Sequence, residues 1–258
     1  MRGKLPIWVS PAFTPTMLPT ELTHCPILYQ DRFLLVINKP AGVLSHPNRG
    51  RGERRQATAF EGSYDPEARC FHGGAGRVWL IHRLDQDTSG VLLAALDEQT
   101  AQRCRALFEE QAIQKNYLAV VRGTPTSPQG VWLDHLATTH ARGAVRTTVL
   151  KGRPPNAELH YAVKGRSEEH RVSLLDIRLI TGRTHQIRVQ AASRQHPIAG
   201  DDVYGDFSLN RRLRASPGLR RLALHARRLS FRHPVSGKDL IIDALPPPDL
   251  AVMLQALT

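Results

Sequence analysis

The chain has little sulfur and no long apolar run. Its 258 residues include three cysteines, Cys25, Cys70 and Cys104, which form no C-x-x-C pair and leave one thiol over. This count argues against a disulfide framework and favours a reducing compartment, so we expect each thiol to be buried. No stretch approaches the length of a membrane span, and prolines interrupt the first 24 residues, where a secretion signal needs an apolar segment. We therefore expect a soluble, cytoplasmic protein with no membrane partner.

Acidic residues are also scarce. There are 23 of them against 35 basic residues, which gives a net charge of +12, and 29 of the basic residues are arginine. This charge could reflect a general compositional bias toward arginine, in which case it would serve only to keep the protein soluble. However, residues 207–238 contain eight arginines and no acidic residue. Such a one-sign segment is typical of a nucleic-acid surface, because a planar guanidinium suits phosphate contacts and base stacking. Our candidates for nucleic-acid contacts are Arg211, Arg212 and Arg214, together with Arg49, Arg51, Arg54 and Arg55 from an earlier polar segment.

Motifs for other ligands are weak. Residues 236–239, Ser-Gly-Lys-Asp, lack the leading glycine and the hydroxyl residue of a P-loop, and the glycines of 73–76 miss the dinucleotide fingerprint. Cys70, His72 and His82 match no usual zinc spacing. None of these segments predicts a bound nucleotide cofactor or a bound metal.

The apolar pattern predicts many strands and few helices. Strands are expected at 27–29, 33–38, 78–81, 91–96, 115–121, 144–150, 157–163, 171–180, 222–231 and 240–243. Helices are expected from a cap at Asp97 to about residue 111, at 184–194 and at 249–257. Residues 45–76 are polar and are interpreted as one long loop. The prediction is an α+β domain over 25–258, with a central mixed, mostly antiparallel sheet flanked by helices, after an extended arm at 1–24.

Residues 81–90, Ile-His-Arg-Leu-Asp-Gln-Asp-Thr-Ser-Gly, place Asp85 where a buried strand opens into a polar turn. Catalytic groups concentrate at such positions, but an Asp in a turn more often satisfies its own backbone. Asp87, two residues on, could form a carboxylate pair with Asp85, as in a glycosidase or a metal site, or could simply accept a backbone hydrogen bond. Spacing alone leaves these alternatives open.

Taken together, residues 81–90 resemble the catalytic motif of the RluA-type pseudouridine synthases. Residues 115–121, Lys-Asn-Tyr-Leu-Ala-Val-Val, resemble the tyrosine strand of that family, and 181–189, Thr-Gly-Arg-Thr-His-Gln-Ile-Arg-Val, resemble its arginine motif. Later landmarks follow in the family's order at 196–201, 204–206, 224–226 and 231–234. The resemblance runs from about residue 27 to about residue 246, nearly the whole chain.

The resemblance implies an enzyme that isomerises uridine to pseudouridine in ribosomal or transfer RNA within a basic cleft. The N1 to C1' bond breaks and the base rejoins through C5, without redox change, so no cofactor is expected. The resemblance implies that Asp85 is the nucleophile on a flipped-out uridine and that Tyr117 lies against the face of the base. It also implies that Arg183 lies beside the Asp85 carboxylate, where a cation would lower the pKa of that group.

Further residues are expected to contact RNA. Arg83 is predicted to occupy the place of the extruded base or to bind the adjacent phosphate. Arg188 and His82 complete the set, although His82 by itself is better interpreted as a packed strand histidine. Without the motif, Arg183 would be an ordinary arginine at a helix end and Tyr117 a plain strand aromatic.

Two other functions remain open on the sequence. A non-catalytic RNA-binding or chaperone protein could keep the same fold and charge, and a hydrolytic glycosidase could use the same carboxylate but release free base. The complete set of Asp, Tyr and Arg positions favours the isomerase. We expect a monomer without a separate N-terminal RNA-binding domain, so that RNA recognition falls to the catalytic domain itself.

Overall fold

The computed structural model describes residues 22–47, 57–141, 144–216, 218–255 and 257. Nearly all of the expected N-terminal arm lies outside these residues, as do Arg49, Arg51, Arg54 and Arg55. Within the described helices, none is long and apolar enough to cross a membrane.

The described residues form one mixed sheet with helices around it, which confirms the predicted α+β class. The strands are β1 (Ile27–Gln30), β2 (Leu34–Lys39), β3 (Ser63–Asp65), β4 (Cys70–Gly73), β5 (Gly76–Leu80), β6 (Ser89–Ala95), β7 (Gln114–Arg122), β8 (Gln129–Ala141), β9 (Ala144–Leu150), β10 (Ala157–Ser167), β11 (Val172–Leu179), β12 (Leu224–Arg232) and β13 (Asp239–Asp243). The helices are α1 (Glu98–Glu109), α2 (Gln186–Ser193), α3 (Phe207–Ala215) and α4 (Pro248–Gln255).

The main path of the sheet runs β3-β4-β5-β6-β12-β7-β11-β10-β8-β9, with β2 also paired to β6. Among the thirteen strands of the described chain, β6 and β12 form the one parallel pair, through Ser89 with His225 and Gly90 with Ala226. Gly90 has φ +119°, and a Cβ there would lie 2.2 Å from the carbonyl oxygen of Ala226, so glycine is required at this close approach. The pairing sets the loop before β6 next to β12 and β7.

Strand β6 is buried on both faces. Leu92 and Ala94 belong to one hydrophobic cluster, whereas Val91, Leu93 and Ala95 belong to the other. This split follows from the two-residue period of a strand and explains the unbroken apolar run in the sequence. The loop that begins with Asp85 thus leads into a strand whose residues are all buried.

The local expectations hold at the first helix and the thiols. The Asp97 side chain accepts a hydrogen bond from the Thr100 amide at 2.8 Å, as expected of a cap. Cys25, Cys70 and Cys104 are free and buried, and burial raises the pKa of each thiol.

Three segments differ from the prediction. The interpretation of 45–76 as one loop is wrong, because β3 and β4 form a hairpin there and continue the sheet through β5. Strand β8 was missed because apolar residues also occupy its exposed positions, so the sequence shows no alternation of polar and apolar residues. Val131 and Leu133 are about half exposed, while Trp132 between them is buried. Helix α3 was missed because its buried apolar face consists of only Leu209 and Leu213, in a short helix that also contains three arginines.

Candidate active site

A cleft of about 680 Å³ opens at the loop between β5 and β6. We call it the Asp85 cleft. Its walls come from this loop, the middle of β7, the turn before α2 with the start of that helix, the β3–β4 hairpin and residues 46–47, which follow β2. The lining residues that matter below are Asp85, Tyr117, Arg188, Arg183, Arg83, His82, His46 and Tyr64. The three residues expected to be catalytic therefore line one cleft.

Lys39 holds the loop that contains Asp85 through hydrogen bonds to main-chain carbonyl groups. This lysine is fully buried at the end of β2, and its Nζ donates to the carbonyl oxygens of Pro40, Val43 and Gln86 at 2.8, 2.7 and 3.0 Å. Burial lowers the pKa of Lys39 to about 8. The Gly42 amide also donates to the Gln86 carbonyl, at 2.9 Å. Each ammonium proton is satisfied by main chain, which ties the residue after Asp85 to the end of β2.

The Asp85 carboxylate is paired with Arg188. Arg188 Nη1 donates to Asp85 Oδ2 at 3.1 Å, while its Nε and Nη2 donate to the two oxygens of Asp201 at 2.7 and 2.9 Å. The side chains of Arg188 and Asp201 are 6% and 0% exposed, whereas that of Asp85 is 25% exposed to the cleft. Burial alone would lower the pKa of Arg188, but the hydrogen bonds and charge of Asp201 and Asp85 outweigh it and raise that pKa. The Arg188 guanidinium therefore stays charged beside the Asp85 carboxylate.

Asp201 holds Arg188 in place. It also accepts hydrogen bonds from the amides of Val203 and Tyr204 at 2.8 and 2.9 Å. Burial works against ionisation, but Arg188 and these amides keep the pKa of Asp201 below its usual value. The Tyr204 ring lies 5.2 Å from the Arg188 guanidinium, and its hydroxyl is 2.8 Å from His185 Nδ1. Asp201 and Tyr204 lie in two of the later family landmarks, but the sequence alone assigned no role to either residue.

The expected pairing of Arg183 with Asp85 is wrong, because Arg188 occupies that place. Arg183 precedes α2, and its Nε donates to the carbonyl oxygen of Asn156 at 3.1 Å. The turn is held by Gln186, whose Oε1 accepts from the Arg183 amide and from Thr181 Oγ1 at 3.0 and 2.7 Å. The helix starts at Gln186, two residues later than predicted, so Arg188 in its first turn faces the carboxylate and Arg183 stays on the cleft wall.

Tyr117 lies on β7, and its side chain is buried at the cleft floor. Burial, and then the charge of Asp85, raises the pKa of the Tyr117 phenol. Across the described residues, the hydroxyl makes no protein hydrogen bond. It is therefore a neutral donor near the carboxylate.

His82 and Arg83 differ in exposure. His82 Nε2 accepts from the Leu93 amide at 3.0 Å, its ring packs 5.0 Å from that of Phe108, and burial lowers its pKa to about 3. It is the packed histidine that its sequence position suggested. Arg83 is exposed, and its Nη2 donates to Thr184 Oγ1 at 2.9 Å across the cleft.

The arginines of α3 lie apart from the cleft lining. Arg211, Arg212 and Arg214 are exposed on α3, which Asp206 caps by accepting from the amides of Ser208 and Leu209. Among the described side chains, no group of three or more His, Cys, Asp or Glu could hold a metal ion.

A family model described as RNA pseudouridylate synthase matches residues 33–193. The chain is 36% identical over 249 residues to ribosomal large subunit pseudouridine synthase D of Zymomonas mobilis subsp. mobilis, covering 94% of this chain and 74% of that protein. It is 38% identical over 229 residues to tRNA pseudouridine synthase C of Pasteurella multocida, covering 84% of this chain and 90% of that protein.

Among solved structures, human RNA Pseudouridylate Synthase Domain Containing 1 superposes with a TM-score of 0.65 at 24% identity, over 95% of this chain and 91% of that one. This superposition supports the fold. The family model covers more than half of the chain, and the relatives share more than 30% of its residues, in agreement with the motifs around Asp85 and Tyr117. The chain belongs to the RNA pseudouridylate synthase family, whose members are isomerases.

Proposed function

We propose that this chain converts uridine to pseudouridine in ribosomal or transfer RNA and that Asp85 initiates the reaction. The observation that supports this most is the 3.1 Å ion pair between Asp85 and Arg188 in the Asp85 cleft. The buried guanidinium of Arg188 holds the carboxylate through a charged hydrogen bond and orients it for the role of a nucleophile. The class of target RNA follows the printed names of the relatives, which include ribosomal and transfer RNA enzymes.

In the proposed reaction, the target uridine leaves the RNA stack and enters the cleft. The ionised Asp85 acts as nucleophile while the N1 to C1' bond breaks. The freed base turns, C5 bonds to C1' and the bond between Asp85 and the nucleotide breaks, which restores the free carboxylate. The proton on C5 leaves and N1 gains one, so that the product is an isomer. Tyr117 forms the floor under the base, and its neutral hydroxyl is available as a donor. The reaction requires no cofactor.

RNA is proposed to reach the cleft past Arg83 and Arg183. Both line it, and the charge of an exposed guanidinium there suits a phosphate on either side of the target. The α3 arginines are proposed as a second, more distant phosphate contact. We further propose a monomer that acts in the cytoplasm, because one chain supplies every wall of the cleft and buried free thiols suit a reducing compartment.

The test compares wild type with Asp85→Asn on total RNA from cells that lack this gene. Carbodiimide mapping locates pseudouridine, and mass spectrometry detects released uracil. We expect one or a few new sites in ribosomal or transfer RNA with wild type and none with Asp85→Asn, whose RNA affinity stays within a few-fold. Asp87→Asn is the matched control, since Asp87 is exposed and lies outside the cleft lining, and it should retain activity. Free uracil would point to a hydrolase, and RNA binding without product would point to a non-catalytic protein.

A further inference from the structure

One wall of the Asp85 cleft is aromatic and comes from the segment where the sequence suggested a featureless loop. His46 and Tyr64 stack there with ring centroids 5.3 Å apart and an interplanar angle of 15°. Tyr64 packs in turn on Phe71 at 4.8 Å, and Phe71 packs on the buried Phe60 at 5.6 Å. We call His46 and Tyr64 the aromatic platform. It forms the outer end of an aromatic column that reaches into the core.

The platform has a fixed position relative to the catalytic carboxylate. The buried Ser45, which precedes His46, donates through Oγ to the Leu84 carbonyl at 2.8 Å and accepts from the Leu84 amide at 3.0 Å. Leu84 directly precedes Asp85. The Ser45 side chain thus binds both the main-chain amide and the main-chain carbonyl of Leu84. Because these two residues directly precede His46 and Asp85, the platform and the carboxylate are held in one unit.

The base of the hairpin is tied to the same unit. The Leu44 amide donates to the Ala57 carbonyl at 3.0 Å, and the Ala59 amide donates to the Leu44 carbonyl at 2.8 Å. Residues 57–59 lead into β3, which contains Tyr64. Both halves of the platform are therefore held by main-chain hydrogen bonds.

Cations surround the platform. Arg69 and Arg83 are exposed and line the cleft with it, and their charge opposes the effect of burial on the pKa of Tyr64. Asp65 is the nearby acid, but its Oδ1 already accepts from the amides of Glu67 and Ala68. An aromatic face flanked by arginines is the arrangement that binds single-stranded nucleotides, with the base on the ring and the phosphates on the guanidinium groups.

We propose that the aromatic platform stacks the base of a nucleotide next to the target uridine, on the outer face of His46, with Arg69 and Arg83 at the flanking phosphates. This inference rests on the proposed use of the Asp85 cleft. The target base itself occupies the Tyr117 side, beside Asp85, which leaves the platform for its neighbour. The site thus selects for sequence context through stacking, which favours the larger face of a purine.

The experiment uses a short RNA that contains a uridine mapped with wild type, with fluorescent 2-aminopurine replacing the base on its 5' or 3' side. The Asp85→Asn protein binds without turnover. We expect quenching of 2-aminopurine at one of the two positions, and disappearance of that quenching when His46→Ala is added. In the active protein, His46→Ala should raise KM about 5- to 150-fold, with kcat at saturating RNA changed only a few-fold.

Two variants separate stacking from structure. His46→Phe keeps a ring and should keep both the quenching and a KM near wild type, whereas His72→Ala removes an exposed histidine of β4 outside the cleft and should change neither. Melting curves establish that each variant is folded. Unquenched probes at both positions, or an unchanged KM in folded His46→Ala, would overturn the platform while wild type still forms pseudouridine. Absence of product from wild type on total RNA would instead contradict the proposed function.

Discussion

Arg188 and Asp201 face each other through two hydrogen bonds of 2.7 and 2.9 Å, in which Nε and Nη2 of the guanidinium are both engaged. The remaining nitrogen, Nη1, points to Asp85. A planar fork held on one side by a buried carboxylate can present its third nitrogen in only one direction. The geometry at Asp85 thus depends on Asp201, which holds the arginine that pairs with it.

Arg188→Lys should lower kcat on the order of 100-fold or more, because a single ammonium group cannot contact both carboxylates as the fork does. RNA affinity should change little. Arg194→Lys is the matched control: Arg194 follows the same helix and donates to Asp134 at 2.6 Å, away from the cleft. Its kcat should stay within a few-fold of wild type. Single-turnover assays on the mapped RNA make the comparison, and full activity in Arg188→Lys would show that Asp85 does not depend on this ion pair.

Lys39 should make stability rise with pH. Burial lowers its pKa to about 8 in the folded protein, against an ordinary value of 10.5. Between these values the unfolded chain holds more protons, so the free energy of unfolding increases with pH, by roughly 3 kcal/mol in total.

Urea unfolding from about pH 7.5 to about pH 10.5 measures this contribution. In Lys39→Met the lysine titration is absent, so the rise with pH should be smaller than in wild type by that amount. Lys39→Gln, which keeps two donors, is a second reference without the titration. Curves of equal pH slope for wild type and both variants would contradict a depressed pKa.

Gly90→Ala should destabilise the fold by about 3 kcal/mol or more, because the new Cβ meets the Ala226 carbonyl at 2.2 Å in addition to the cost of positive φ. Gly152→Ala separates the two effects. Gly152 has φ +74° and nothing within 4 Å of an added Cβ, so its cost should be about 1 to 2 kcal/mol. Chemical unfolding of both variants gives the difference, and equal destabilisation would mean that β6 and β12 can move apart.

Replacing Arg211, Arg212 and Arg214 together with alanine tests the α3 surface. If all three bind phosphates, the slope of log affinity against log salt should flatten by about 0.7 to 0.9 for each arginine replaced. Turnover of bound RNA should hardly change, because phosphate contacts fix position without entering the bond-breaking step. A control triple, Arg32, Arg77 and Arg103 to alanine, removes the same charge from exposed positions outside the cleft. Equal slopes for the two triples would assign α3 an ordinary solvated surface.

The motifs that resemble the family singled out Asp85 and Tyr117, and the structure brings both residues into the Asp85 cleft. Asp85 follows an apolar run and opens a turn, and Tyr117 lies in a largely buried strand. The central strand β6 was equally visible, since burial on both faces leaves a continuous apolar segment.

The choice between Arg183 and Arg188 could not be made in the same way. It depends on where α2 begins, and that point is set by hydrogen bonds of the Gln186 side chain and by a left-handed His185. Helix boundaries are weakly encoded in local sequence. The role of Asp201 was invisible for a related reason: its partner is 13 residues away and is reached only through the fold.

The parallel pairing of Ser89 with His225 has a consequence for synthesis. The two side chains are 2.8 Å apart but 136 residues apart in the chain. At ordinary elongation rates, about 7 to 27 s separate the emergence of one from that of the other. During this interval the segment with Asp85 exists without the strand that flanks it, so a nascent chain has the carboxylate but not the finished cleft. The cleft is therefore completed only after β12 has left the ribosome.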